Sequence, residues 1–160
     1  MSRAISFAAL MLALSLGQSA FGQAEQKETD AEKHDRLKMN VQAICPISGN
    51  KLGEHGDPIK VKVGEEQVFL CCKGCLEKKI DPKHWETIHE NFAKAQSICP
   101  VMEKALPAQP KWTVVEGQIV YVCCPPCIDK IKAESAKYLA AVDAAYEQYL
   151  KDRRSSPSGE

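Results

Sequence analysis

The chain has 160 residues, with Lys plus Arg and Asp plus Glu balanced at 21 each and only 6% aromatic residues. A neutral balance gives no polyanion a field to follow, so neither nucleic acid nor an anionic membrane surface is expected as a partner. Eight cysteines in so short a chain are the compositional excess that calls for explanation.

Taken in order, the first predicted segment is a signal peptide over residues 1–22. Arg3 supplies a positive start, residues 4–16 are uncharged and largely apolar, and Ala20-Phe21-Gly22 offers small residues for cleavage after Gly22. The apolar run is shorter than the roughly 20 residues a spanning helix needs, so no membrane span is expected after cleavage. The expected location is exported, periplasmic or secreted. Residues 23–42 are rich in charge of both signs, with Leu37, Met39 and Val41 as their sizeable apolar groups, and read as a charged linker, disordered or a marginal helix. Residues 153–160 read as a frayed, disordered tail.

Between them lies one pattern used twice, predicted as a first metal-binding repeat over 43–97 and a second over 98–152. Ile44-Cys45-Pro46-Ile47 returns 54 residues later as Ile98-Cys99-Pro100-Val101, and from Pro58 against Pro110 the offset is 52. In the first copy Val61 and Val63 alternate with lysines, Gly64-Glu65-Glu66 can turn, and Val68 and Leu70 return on the buried face of a hairpin. In the second, residues 112–115 and 119–122 flank a turn at Glu116-Gly117-Gln118. A helix follows each hairpin. Asp81 caps the first, Pro82 suits its first position, Ile80 can staple to Trp85, and Trp85, Ile88, Phe92 and Ala95 form its stripe. The second carries Ile128, Ile131, Tyr138, Val142, Ala145 and Tyr149 on one long helix reaching Asp152. The predicted class is α+β, two tandem small units of hairpin then helix, with a long C-terminal helix.

Each unit is below the roughly 70 residues at which an apolar core alone stabilises a scaffold, so a cross-link per unit is expected. The cysteines supply it: Cys45, Cys71, Cys72 and Cys75 in the first unit, Cys99, Cys123, Cys124 and Cys127 in the second. Cys71 and Cys75 flank a strand-to-helix junction where two thiolates can converge, and the hairpin brings Cys45 back as a third. Successive strand side chains point to opposite faces, so Cys72 ranks below these three as a fourth ligand or free thiol. The same ranking places Cys124 after Cys99, Cys123 and Cys127. Three or four thiolates suit a soft ion, Zn(II) first and Cu(I) second, at about one ion per repeat.

Two other readings stand beside this one. Export favours disulfides, with 105 connectivities for eight cysteines, although a bond between neighbours such as Cys71 and Cys72 is strained. Redox catalysis through Cys72-Lys73-Gly74-Cys75 or Cys124-Pro125-Pro126-Cys127 is the third, but the β-α-β setting of such motifs is missing. His34, His55, His84 and His89 read as solvated, and Met102 as a gap filler. No catalytic constellation is present, and no enzyme is predicted.

The run Cys45-Pro46, hairpin, Phe69-Leu70-Cys71-Cys72-Lys73-Gly74-Cys75 and Asp81-Pro82-Lys83-His84-Trp85 resembles the TRASH and YHS-type heavy-metal-binding modules. The likeness covers both repeats. It implies a treble-clef-like fold in each, with Cys45, Cys71 and Cys75, then Cys99, Cys123 and Cys127, at the ligand positions. It also implies a heavy-metal ion as partner and a metal efflux or transport component as a further one, in sequestration or handover.

Overall fold

The computed structural model describes residues 28–155, so the expected signal peptide and the last five residues of the tail lie outside the described residues. The chain forms helix α1 (Asp30–Gln42), a hairpin of β1 (Ile59–Val63) and β2 (Glu66–Leu70), a 3-10 turn (Lys73–Cys75) and helix α2 (Pro82–Gln96). Short strands β3 (Ile98–Cys99) and β4 (Lys104–Ala105), a hairpin of β5 (Lys111–Val115) and β6 (Gln118–Val122), and helices α3 (Pro126–Ala133) and α4 (Ser135–Ser155) complete it. The three sheets are two-stranded and antiparallel, with Val61 opposite Val68 in the first hairpin and Thr113 opposite Val120 in the second. This is a mixed α/β chain ending in a long helix.

Several expected features stand where the sequence puts them. Asp81 caps α2 by accepting from the Lys83 and His84 amides, Pro82 begins the helix, and Ile88, Phe92 and Ala95 are buried along one side. Both hairpins turn at the predicted residues, Gly64 and Glu116-Gly117, which hold positive φ.

The stretch read as a linker, disordered or a marginal helix, takes the helical alternative and packs into the core. From Asp30 it is a 13-residue helix, opened by a capping box in which Thr29 and Glu32 exchange hydrogen bonds. Leu37 and Val41 lie one turn apart and are buried in the main core. Lys38 and Gln42, on the same face, are buried too, and these polar residues in core positions hide the amphipathic pattern. The departure from expectation is the predicted single C-terminal helix, which breaks at Glu134 (φ −130°) into α3 and α4. The Ser135 hydroxyl donates to Glu116 at 2.7 Å at the start of α4. Helix α4 then runs past Asp152 to Ser155, so the first three residues assigned to the tail are helical.

The largest apolar core is shared by both halves. Residues of α1, α2 and α4 meet β6 and α3 in it, and the Phe92 and Tyr146 rings stack at 5.9 Å. Strand β6 is buried along its whole length, whereas β1 alternates half-buried with exposed residues. A smaller cluster of Cys45, Leu70, Cys71 and Cys75, with Ile47, Leu52 and Val61 against it, lies under the first hairpin. The division at residue 97 therefore does not separate two cores.

Lys38 is the unusual member of the interior. It is 2% exposed, and its Nζ donates to the Gly117 carbonyl at 2.7 Å. The same carbonyl accepts from the Gln67 amide at 2.8 Å, joining the two hairpins. Gly117 is required there: its φ is +82°, and a Cβ would stand 2.5 Å from the Gln67 side chain. Burial, followed by repulsion from Lys60, pushes the Lys38 ammonium down to about 8, against partial support from Asp35, Glu66 and Asp143. Between pH 8 and about 10.5 the unfolded chain holds this proton and the folded chain does not, so stability rises with pH across that window. The shift is worth about 3 kcal/mol, a cost fully present below pH 8. Lys38→Met is expected to abolish this rise and to be more stable at pH 7.5, because Gly117 keeps the Gln67 amide. Urea unfolding of both proteins, reduced and metal-free, at pH 7.5 and 10 checks this.

Candidate metal centres

Each lone cysteine sits in a tight turn after a helix. The Cys45 amide donates to the Asn50 carbonyl at 2.8 Å, and the Gly49 amide returns to the Cys45 carbonyl at 3.0 Å. An Ile44–Lys51 bridge closes the base of this turn. Around Cys99 the turn is held by the Glu103 amide on the Cys99 carbonyl at 2.8 Å and by the β3–β4 pair, Ile98 opposite Ala105. Glu103 takes the positive φ that Gly49 takes in the first turn.

The other cysteines come from the ends of the hairpins. Cys71 follows β2 and Cys75 lies in the 3-10 turn, where the Cys75 amide donates to the Cys72 carbonyl at 3.2 Å. Cys127 repeats the contact on Cys124 at 3.2 Å at the start of α3. The chain reversal places the first and last cysteine of each cluster on one side, facing the lone cysteine.

A side chain that the sequence reading did not single out docks turn to hairpin. The Gln42 amide nitrogen donates to the carbonyls of Ile44 (2.9 Å) and Phe69 (2.7 Å), and its oxygen accepts from the Phe69 amide (2.8 Å). Gln96 does the same with Ile98 (3.0 Å), Tyr121 (2.7 Å) and the Tyr121 amide (2.8 Å). Phe69 and Tyr121 stand two residues before Cys71 and Cys123, so each glutamine fixes the distance between a lone cysteine and its cluster. The repeated Gln-x-Ile-Cys-Pro, at Gln42 and Gln96, carries this signal in the sequence, just ahead of the point where the repeat was taken to begin.

The result is two thiol triads, Cys45 with Cys71 and Cys75 and Cys99 with Cys123 and Cys127, each with all sulfurs within 4.8 Å of one another. Cys45 Sγ and Cys71 Sγ both lie 3.8 Å from Cys75 Sγ, and Cys99 Sγ lies 3.9 Å from Cys127 Sγ. A tetrahedral ion with sulfurs at about 2.3 Å sets them about 3.8 Å apart along each edge, so these spacings fit a thiolate-bound metal. None of the eight cysteines is joined to another by a disulfide in this structure. The triads could each hold one metal ion.

No family model, curated protein or solved structure matches this chain. The resemblance to heavy-metal modules rests on the motifs alone. What the two centres do is therefore argued from their own chemistry.

Hydrogen bonding singles out one thiol in each triad. Burial alone would raise the Cys45 thiol, but hydrogen bonds from the Ser48, Cys71 and Ile47 amides outweigh it and bring it down to about 6. Cys99 is lowered in the same way, against burial, by the Cys123, Met102 and Val101 amides. Burial and the neighbouring sulfurs push Cys75 up to about 12 and raise Cys127. In each triad, then, the lone cysteine is the thiol eased toward its thiolate form and the last cysteine the one held back from it, and a bound cation would displace the remaining protons.

Cys72 and Cys124 fall outside the triads. Both are partly exposed, at 3.9 Å from Cys71 and 3.8 Å from Cys123 respectively, each beside a triad member. The histidines join neither triad, but not all are solvated. His34 binds Asp143 at 2.9 Å and ties α1 to α4. His89 lies between Glu66 (3.3 Å) and the Tyr121 hydroxyl (3.1 Å), with Trp85 and Trp112 beside its ring. His84 packs against Gly49 behind the first cysteine turn, leaving His55 as the exposed one. These positions follow from α1 and α2 packing into the shared core. Met102 is 44% exposed and does not fill a gap, because its turn points it outward.

Proposed function

We propose that the chain is an exported, non-catalytic protein that holds one soft metal ion at each triad, Zn(II) foremost and Cu(I) second. In this reading the halves are paired treble-clef-like modules serving heavy-metal sequestration, or handover to an efflux or transport component. The observation that carries it is the convergence of three sulfurs, from segments 26 to 30 residues apart in the first half, at the edge length of a thiolate tetrahedron. Buried thiols with no role in binding would need neither that spacing nor amides directed at Cys45 and Cys99. The motif resemblance supports the heavy-metal role, and residues 1–22 support export.

The chain's own groups divide the work. Cys45 and Cys99 offer the first thiolate, Cys71 with Cys75 and Cys123 with Cys127 complete each triad, and the partly exposed Cys72 and Cys124 stand at the rim for ligand exchange. Native mass of the mature chain, purified from its export compartment without added metal or reductant, tests the reading. An increase of two metal ions is expected. A mass lower only by the hydrogens lost to disulfides overturns it. Unchanged metal tolerance on deletion would remove the sequestration role.

A further inference from the structure

The two centres differ in the placement of the outer thiol and in exposure. In the second, Cys124 Sγ lies 3.2 Å from Cys127 Sγ, the closest sulfur pair among the described contacts, and Cys127 belongs to the triad. Cys124 is partly exposed and is followed by Pro125-Pro126, whose fixed φ angles hold the turn between the two thiols. In the first centre the matching thiol, Cys72, leans on the neighbouring Cys71, at 3.9 Å, and Cys75 acts on it more weakly. The first triad is also closed to solvent, with Cys45, Cys71 and Cys75 at 0%, 2% and 4% exposure, whereas Cys123 of the second is partly exposed.

We propose that Cys124 and Cys127 form an oxidisable pair, attacked by a small-molecule disulfide, whose closure releases the metal of the second centre and leaves the first loaded. The inference rests on the metal reading above. The Cys124 thiolate attacks one sulfur of the disulfide, forming a mixed disulfide and expelling one thiolate. The Cys127 sulfur then attacks Cys124 and expels the second. Two cysteine sulfurs lose two electrons, the external disulfide gains them, and the Cys124 proton leaves with a product thiol. Closing from 3.2 Å to the roughly 2.05 Å of a disulfide needs side-chain rotation across a turn already formed. The ion then keeps only Cys99 and Cys123, too few to hold it. The same reagent at Cys72 caps a thiol whose stronger partner is the neighbouring Cys71 and whose link to the buried Cys75 is the weaker one, so closure there is slower.

The test is native mass spectrometry of the full mature chain loaded with two Zn(II) and treated with increasing oxidised glutathione. One ion is expected to leave at least ten-fold faster than the other, together with the mass loss of one disulfide mapping to Cys124–Cys127. Cys124→Ser is expected to keep both ions under the same treatment, and Cys72→Ser to behave as the parent. Simultaneous loss of both ions, a first disulfide elsewhere, or unslowed release from Cys124→Ser overturns the proposal while leaving the metal reading intact. A reduced chain that takes up no zinc overturns both.

Discussion

Gln96→Leu is expected to be among the most damaging single substitutions outside the cysteines, and Gln42→Leu to damage the first centre in the same way. Leucine fills the space but strips the Tyr121 amide and the Tyr121 and Ile98 carbonyls of their partner. Gln96 is 1% exposed, so water cannot take its place. At about 1–3 kcal/mol for each buried group left unpaired, the loss is on the order of 4 kcal/mol. Metal content should fall selectively, from two ions to one, because the turn carrying Cys99 is no longer held at the distance its cluster requires. Denaturant unfolding and metal stoichiometry on the same sample check both parts. Gln96→Glu keeps an acceptor for the Tyr121 amide but loses both donated bonds, and its defect should ease as pH falls and the carboxyl regains a donor.

Stripping the metal with a strong chelator is expected to act unevenly along the chain. Binding to small thiolate sites is worth on the order of 10 kcal/mol at neutral pH, and removal withdraws that from whatever depends on it. The first centre has only Leu70, Ile47, Leu52 and Val61 as apolar support, whereas the second borders the core containing Phe92, Ile131, Val142 and Tyr146. Amides of residues 44–52 and 71–76 should therefore lose hydrogen-exchange protection first, while α2 and α4 keep most of theirs. Uniform loss along the chain, or no loss, would show that the shared core does not divide the stability in this way. Cys45→Ser should reproduce the local loss without chelator and leave one ion per chain.

Much of the candidate site could be read from the residues because its logic is local. The strand direction carried past Leu70 sends Cys71 and Cys72 to opposite faces, and a turn through Cys75 brings that thiol to the side of Cys71, so the sequence ranks the cysteines as the triads group them. Asp81 and Pro82 likewise mark the start of α2 through a capping preference. What the residues concealed was long-range. Helix α1 carries Lys38 and Gln42 where a core stripe would be apolar, and each relies on a partner distant in sequence, Gly117 and Phe69. Periodicity counts apolar side chains and has no means of recognising a buried polar residue whose acceptor lies 79 positions away. The break at Glu134 escaped for a related reason, since the stripe continues across it and Ser135 finds its partner in the second hairpin turn.

Helix α2 touches both centres. At its start the Asp81 amide donates to the Pro46 carbonyl at 3.0 Å, beside Cys45, and at its end Gln96 orders the turn of Cys99. Its 15 residues make a rod of about 22 Å that sets the spacing of the two cysteine turns. Because the shared core keeps that rod ordered with or without metal, an ion leaving one end does not disturb the other, and the two centres are expected to fill and empty independently. At limiting metal the population would then include chains loaded at one centre alone, and the chain would respond to rising metal in proportion and not as a switch.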